Sequence, residues 1–134
     1  MTGSKEGPSL HAMIKSAARA LSTPARSGTM VTIVDIRRVA SELGLPVTLK
    51  GDRAWILEEL MRTAVDYGKL PELVESLKKL VRTRARRLEE LARSYPSGVE
   101  LVEDYIEASR RLESMLDDLK EVYIRYESIR GDRQ

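Results

Sequence analysis

The stretch SGVELVEDYIEASRRLESMLDDLKEVYIRYESIR, residues 97–130, decides the fold. Within it Tyr105, Ser109, Leu112, Leu116, Leu119, Tyr123 and Tyr126 recur in alternating three- and four-residue steps. Beside them Leu101, Ala108, Met115, Val122 and Ile129 repeat every seven residues. Two adjacent seams at this spacing make an α-helix with a broad apolar face. A two-stranded coiled coil needs only a narrow face, so the pattern predicts a helix packed among several neighbours, as in a four-helix bundle. Ser97 and Glu100 have the spacing of a capping box, which starts the helix, and the pattern runs to about Arg130.

The rest of the chain reads as helices separated by breakers. Pro71 suits the first turn of a helix whose inward side is Leu73, Leu77, Leu80, Val81, Leu88 and Leu91, ending near Ser94. Asp52 is placed to cap a helix that buries Trp55, Ile56, Leu57, Leu60, Met61, Ala64 and Val65 and stops at Gly68. A further helix is expected from about Thr29 to Leu43, burying Val31, Ile33, Val34, Ile36, Ala40 and Leu43, with Gly44 as its cap. Leu10, Met13, Ile14, Ala17 and Leu21 form a helical stripe, and STPARSG (22–28) breaks it. No strand pattern intervenes. The expected fold is all-α: a basic N-terminal helical arm and hinge over residues 1–28, then a four-helix bundle over 29–134 with a long C-terminal helix.

Composition excludes several kinds of chemistry. The 134 residues contain no Cys, which rules out disulfides and thiolate nucleophiles or metal ligands, and a single histidine, His11, which disfavours a catalytic triad or an imidazole metal site. The pairs Asp117–Asp118 and Glu58–Glu59 are sequence neighbours, which diverge on a helix and cannot share a proton or a metal. No catalytic, cofactor or metal residue is therefore assigned, and neither an enzymatic role nor a small-molecule substrate is expected. Asn is absent and Gln occurs once, beside abundant Arg, Lys, Asp and Glu, a composition that leans toward a hyperthermophilic source. No apolar run reaches the length of a membrane span, and the first residues lack a secretory core; the expected location is the cytoplasm or a particle assembled there.

The net charge of +2 conceals a segregation. Residues 1–53 and 69–94 are each basic, whereas residues 95–134 are acidic. A polyanion would meet the first third of the chain or the helix before Ser94. Lys5, Lys15, Arg19, Arg26, Arg37 and Arg38 are the candidate nucleic-acid contacts. Alternatively, the first helix covers the end of the bundle with its apolar side. Lys79, Arg82, Arg86 and Arg93 read better as a solvated, ion-paired face than as a phosphate track. Arg84 falls among the leucines of its helix, as a snorkelling side chain, as one paired with an acid such as a carboxylate of the last helix, or at a subunit contact. The broad face of residues 101–130 and the few aromatics predict a core completed by another subunit, with Arg84, Tyr105, Leu112, Tyr123 and Tyr126 at the interface.

In layout the chain resembles the α-helical major capsid proteins of filamentous archaeal viruses. SLHAMIKSAARAL, STPARSG and TMVTIVDIRRVASEL would be the arm and turn, and residues 53–130 much of the bundle. The resemblance implies a virion protein whose basic N-terminal residues wrap double-stranded DNA by phosphate contacts, with the acidic last helix outward and copies of itself or a related subunit as partners. It leaves a membrane envelope open. A local resemblance points elsewhere. DIRRVASELGLPVTLKGDRAWILEELMRTAVDYGKLPELVESLKKL (35–80), with its junction Gly68-Lys69-Leu70-Pro71-Glu72-Leu73, is similar to effector-associated, death-fold-like adaptor domains. That likeness implies a cytoplasmic protein–protein adaptor without nucleic acid. A small subunit of an RNA-guided nucleoprotein complex is a third reading.

Overall fold

The computed structural model describes residues 9–132, which form helices and connections with no strand among them. The helices are α1 (Leu10–Leu21), α2 (Pro24–Ser27), α3 (Ile33–Glu42), α4 (Arg53–Asp66), α5 (Leu70–Ser94) and α6 (Val99–Asp132), with a 3-10 turn at Pro96–Gly98 before α6. The all-α expectation holds. Local chemistry sets most boundaries. Ser9 caps α1 by accepting from the Ala12 amide, and Asp52 caps α4 by accepting from that of Trp55. Pro71 occupies the first turn of α5.

Two elements differ from the sequence reading. The helix expected from Thr29 begins only at Ile33, because Thr32 and Asp35 close a capping box there: Thr32 Oγ1 accepts from the Asp35 amide and Asp35 Oδ2 from the Thr32 amide. The segment expected as a hinge instead folds into α2, a single turn that starts at Pro24 and ends at Gly28 in the left-handed conformation.

α5 and α6 form a long hairpin, and α1 and α4 pack against its root. One core joins Ile14, Ala17, Ala18 and Leu21 of α1 to Ile56, Leu57, Leu60 and Met61 of α4. Leu70, Leu73, Leu77 and Val81 of α5 and Leu112, Leu116, Leu119 and Tyr123 of α6 complete it. From Leu10 onward the expected arm is thus part of the bundle, because its apolar side is filled by α4 and α6. The small residues Ala17, Ala18 and Ala20 permit that close approach. The broad face of α6 finds its neighbours within the chain, so Leu112 and Tyr123 are core residues and not subunit contacts. Val34 and Trp55, expected inside, are exposed. Four ion pairs lace the outside of the hairpin: Lys78–Asp117 at 2.7 Å, Lys78–Glu75 at 3.6 Å, Lys120–Glu75 at 3.2 Å and Arg82–Glu113 at 2.6 Å.

α2 abuts α6 at Gly28. A Cβ built there would lie 1.9 Å from the Tyr105 carbonyl oxygen and 3.0 Å from the Ser109 Cβ. Gly44 shares the left-handed conformation, but the nearest atom to its Cβ would be Lys69 Nζ at 3.7 Å, an ordinary van der Waals distance. Gly28→Ala is therefore expected to lose about 3 kcal/mol or more, backbone strain plus overpacking, and Gly44→Ala only about 1 kcal/mol. Equilibrium denaturation of the two variants checks the contrast; equal losses would show that the α2–α6 approach is looser than this.

Candidate functional site

Helix α3 is held against α5 by two long cations. At its N-terminal end Asp35, with its side chain 3% exposed, meets Arg84 of α5 in a two-pronged pair: Nη1 donates to Oδ2 at 2.6 Å and Nη2 to Oδ1 at 2.7 Å. Arg84 Nη1 also donates to the Met30 carbonyl. At the other end Lys69, the cap of α5, donates from Nζ to the Leu43 carbonyl at 2.7 Å, where the helix dipole is negative. Ends so paired place α3 antiparallel to α5. The acid that pairs with Arg84 is therefore on α3 and not on the last helix.

Burial pushes the Asp35 carboxyl up, but the hydrogen bonds from Arg84 and Thr32 outweigh it and bring the pKa from 3.8 to about 2. The stabilisation this represents, about 2 kcal/mol, is whole above pH 3.8 and is lost as pH falls through about 2. Arg38 adds a second cation to the same carboxylate, Nη2 to Oδ1 at 3.0 Å.

Long struts leave space between the helices. A cleft of about 530 Å³ opens between α3 and α5, with Val39 and Leu80 among its walls and Ser76 and Thr83 as hydroxyls. Arg38, Lys79, Arg84 and Arg87 face into it, against the single carboxylate Glu42. Lys79 and Arg87 are exposed and, among the described residues, make no ion pair. Such a surface suits an oxygen-rich anion: Arg84 is fixed by Asp35, while Arg87 and Lys79 keep donors for a ligand.

The candidate contacts read from the sequence divide among three places. Arg38 lines the cleft, whereas Arg37, one residue earlier on α3, is exposed in another direction. Lys15 and Arg19 lie one turn apart on the exposed side of α1, and Arg26 is exposed on α2; among the described residues none of the three is ion-paired. Lys5 lies outside the described residues. Tyr105 and Tyr126 are partly exposed, as an interface role would need.

The expected solvated face of α5 separates as well. Arg82 is engaged by Glu113, Arg86 is exposed, and Lys79 belongs to the cleft. The sequence reading missed Arg87. Its spacing from Lys79 and Thr83, four residues at each step, is the signal that could have placed it on one line with them.

Elsewhere, exposed His11 packs its ring Nε2 3.0 Å from Arg62 Nη2. Among the described residues no cluster of three His, Cys, Asp or Glu side chains could hold a metal, and no helix is long and apolar enough to cross a membrane. Fold and cleft together define an all-α bundle with a cationic groove. No protein-family model matches the chain, and neither does any curated protein or solved structure.

Breaking the clamp tests its weight. Arg84→Met is expected to cost about 2 kcal/mol at neutral pH, since it leaves the buried carboxylate with only Arg38 and the Thr32 amide, and Arg84→Lys less, since it retains the charge without the fork. The gap between wild type and Asp35→Asn should narrow as pH is lowered from 4 toward ~2, followed by denaturant melts. A pH-independent gap would contradict the assigned titration.

Proposed function

We propose that this is a structural, non-enzymatic DNA-packaging protein that grips the phosphate backbone without reading bases. The observation that carries this reading is the cationic lining of one cleft, where Lys79 and Arg87 make no ion pair among the described residues and stand beside Arg38 and Arg84, which Asp35 engages. Cations on rigid helices contribute affinity and orientation through phosphate, and nothing in the cleft requires a base edge. Lys15, Arg19 and Arg26 supply a second cationic face for the same polyanion. In its finer form the proposal is a capsid subunit of a filamentous archaeal virus, which the helical layout and the exposed acids Glu100, Glu103, Asp104 and Glu107 of α6 support.

A second reading, the helical adaptor, is favoured by the packing of α1. An arm buried in its own bundle is not free to wrap a duplex, and α3–α5 contain the stretch similar to adaptor domains. The two readings separate on salt. Two unrelated duplexes are expected to bind wild type equally, with an affinity that falls steeply as salt rises. Lys79→Ala/Arg87→Ala should weaken both duplexes alike and reduce the log–log salt slope by ~1.8, ~0.9 for each cation. Replacing Lys15, Arg19 and Arg26 by Ala should reduce it further. Fluorescence anisotropy over a salt series reads all three; no duplex binding at low salt would move the adaptor reading to first place.

A further inference from the structure

Beyond the N-terminus of α3 the face of α5 that α3 covers becomes bare. Leu88, Leu91 and Tyr95 follow at three- and four-residue steps on that face, and Leu91 and Tyr95 are 58% and 67% exposed. Met30, 49% exposed, extends the patch from the α2–α3 connection. Met30, Leu88 and Leu91 share a cleft of about 450 Å³ with Arg84 and Arg87. A grouping of large apolar side chains at this exposure marks an interaction surface.

We infer that this stripe is covered by the same stripe of a second copy, the two α5 ends crossing antiparallel about a twofold axis. Charge complementarity favours that occupant. Arg87 flanks the stripe and Glu90 follows one turn on, further round the same side; both are exposed and, among the described residues, neither is ion-paired. An antiparallel twofold pairing sets like edge beside like edge, so each Arg87 comes within reach of Glu90 on the other copy while leucine packs on leucine. A duplex gains nothing from the apolar patch, whereas an identical stripe matches both its apolar centre and its mixed-sign edge. The surface replaces the α6 face that sequence periodicity singled out, which the chain fills from within.

Sedimentation velocity of the full chain, without DNA and over a range of concentrations, tests the inference. Wild type is expected to show a reversible monomer–dimer equilibrium. Leu91→Asp should raise the dimer dissociation constant roughly 30-fold or more, the weight of one buried leucine, with an unchanged thermal melt because Leu91 lies outside the core. Arg87→Glu should also favour monomer, and Arg87→Glu/Glu90→Arg should restore dimer, a rescue that loss of folding could not produce. A wild-type monomer at every concentration overturns the inference, even where duplex binding is intact. A dimer indifferent to Leu91→Asp and to the charge swap overturns it equally, since the copies would then meet elsewhere.

Discussion

The buried pair between Asp35 and Arg84 governs how the periphery of this bundle is arranged. A ten-residue helix such as α3 is marginal by itself, and it contributes only Ile36, Val39 and Ala40 to the buried apolar set. Its position therefore depends on polar attachments to a degree that α4 and α6 do not share. Asp35 serves twice: its carboxylate closes the capping box that starts α3, and the same carboxylate receives the fork of Arg84 that docks α3 on α5. Formation of the helix and its docking are thus coupled through two oxygens. A lysine could supply the charge at position 84 but not two parallel bonds, which explains why arginine suits a site where one partner is almost fully withdrawn from water.

The same clamp produces the groove. Side chains as long as Arg84 and Lys69 hold α3 at its ends and keep its middle at a distance from α5, where close apolar packing would have sealed the gap. Because Asp35 neutralises Arg84 and shares Arg38, the cleft's free positive charge resides chiefly on Lys79 and Arg87. Its depth is a structural by-product of the clamp, and its charge is contributed by residues the clamp does not use. Stability and the free charge of the cleft can therefore be altered separately, through Asp35 and Arg84 on one side and Lys79 and Arg87 on the other.

Periodicity and breakers made the helices legible because those signals are local. The seams of α6, the caps at Asp52 and the proline of α5 are each set by residues within a turn of one another. What covers a face is a tertiary matter, and there sequence reading failed. Leu112 and Tyr123 belong to an apolar face in either case, but only the position of α1 and α4 makes them core. Arg84 was visible as a charge among leucines, yet its partner lies 49 residues away on a helix whose orientation no local pattern fixes. α1 posed the same ambiguity in reverse: a basic amphipathic helix is compatible with a membrane, a groove or its own bundle, and its alanines decided for the bundle by allowing close approach. The capping box of α3 was written in Thr32 and Asp35, and its neglect misplaced the start of that helix by about one turn.

Helix lengths account for the remaining surface. α5 has 25 residues, about 37 Å at 1.5 Å each, whereas the ten residues of α3 span about 15 Å. With the C-terminal end of α3 tied to Lys69 and its N-terminal end to Arg84, the last ten residues of α5 have no helix over that face. Polar residues there would have made an ordinary solvated hairpin tip. Leu88, Leu91 and Tyr95 continue the spacing of Leu73, Leu77 and Leu80 instead, as though the face were still to be covered. The lengths leave a gap in the cover, the side chains in that gap are apolar, and the charges at its edge are of both signs. An edge of both signs complements its own image when two copies run antiparallel.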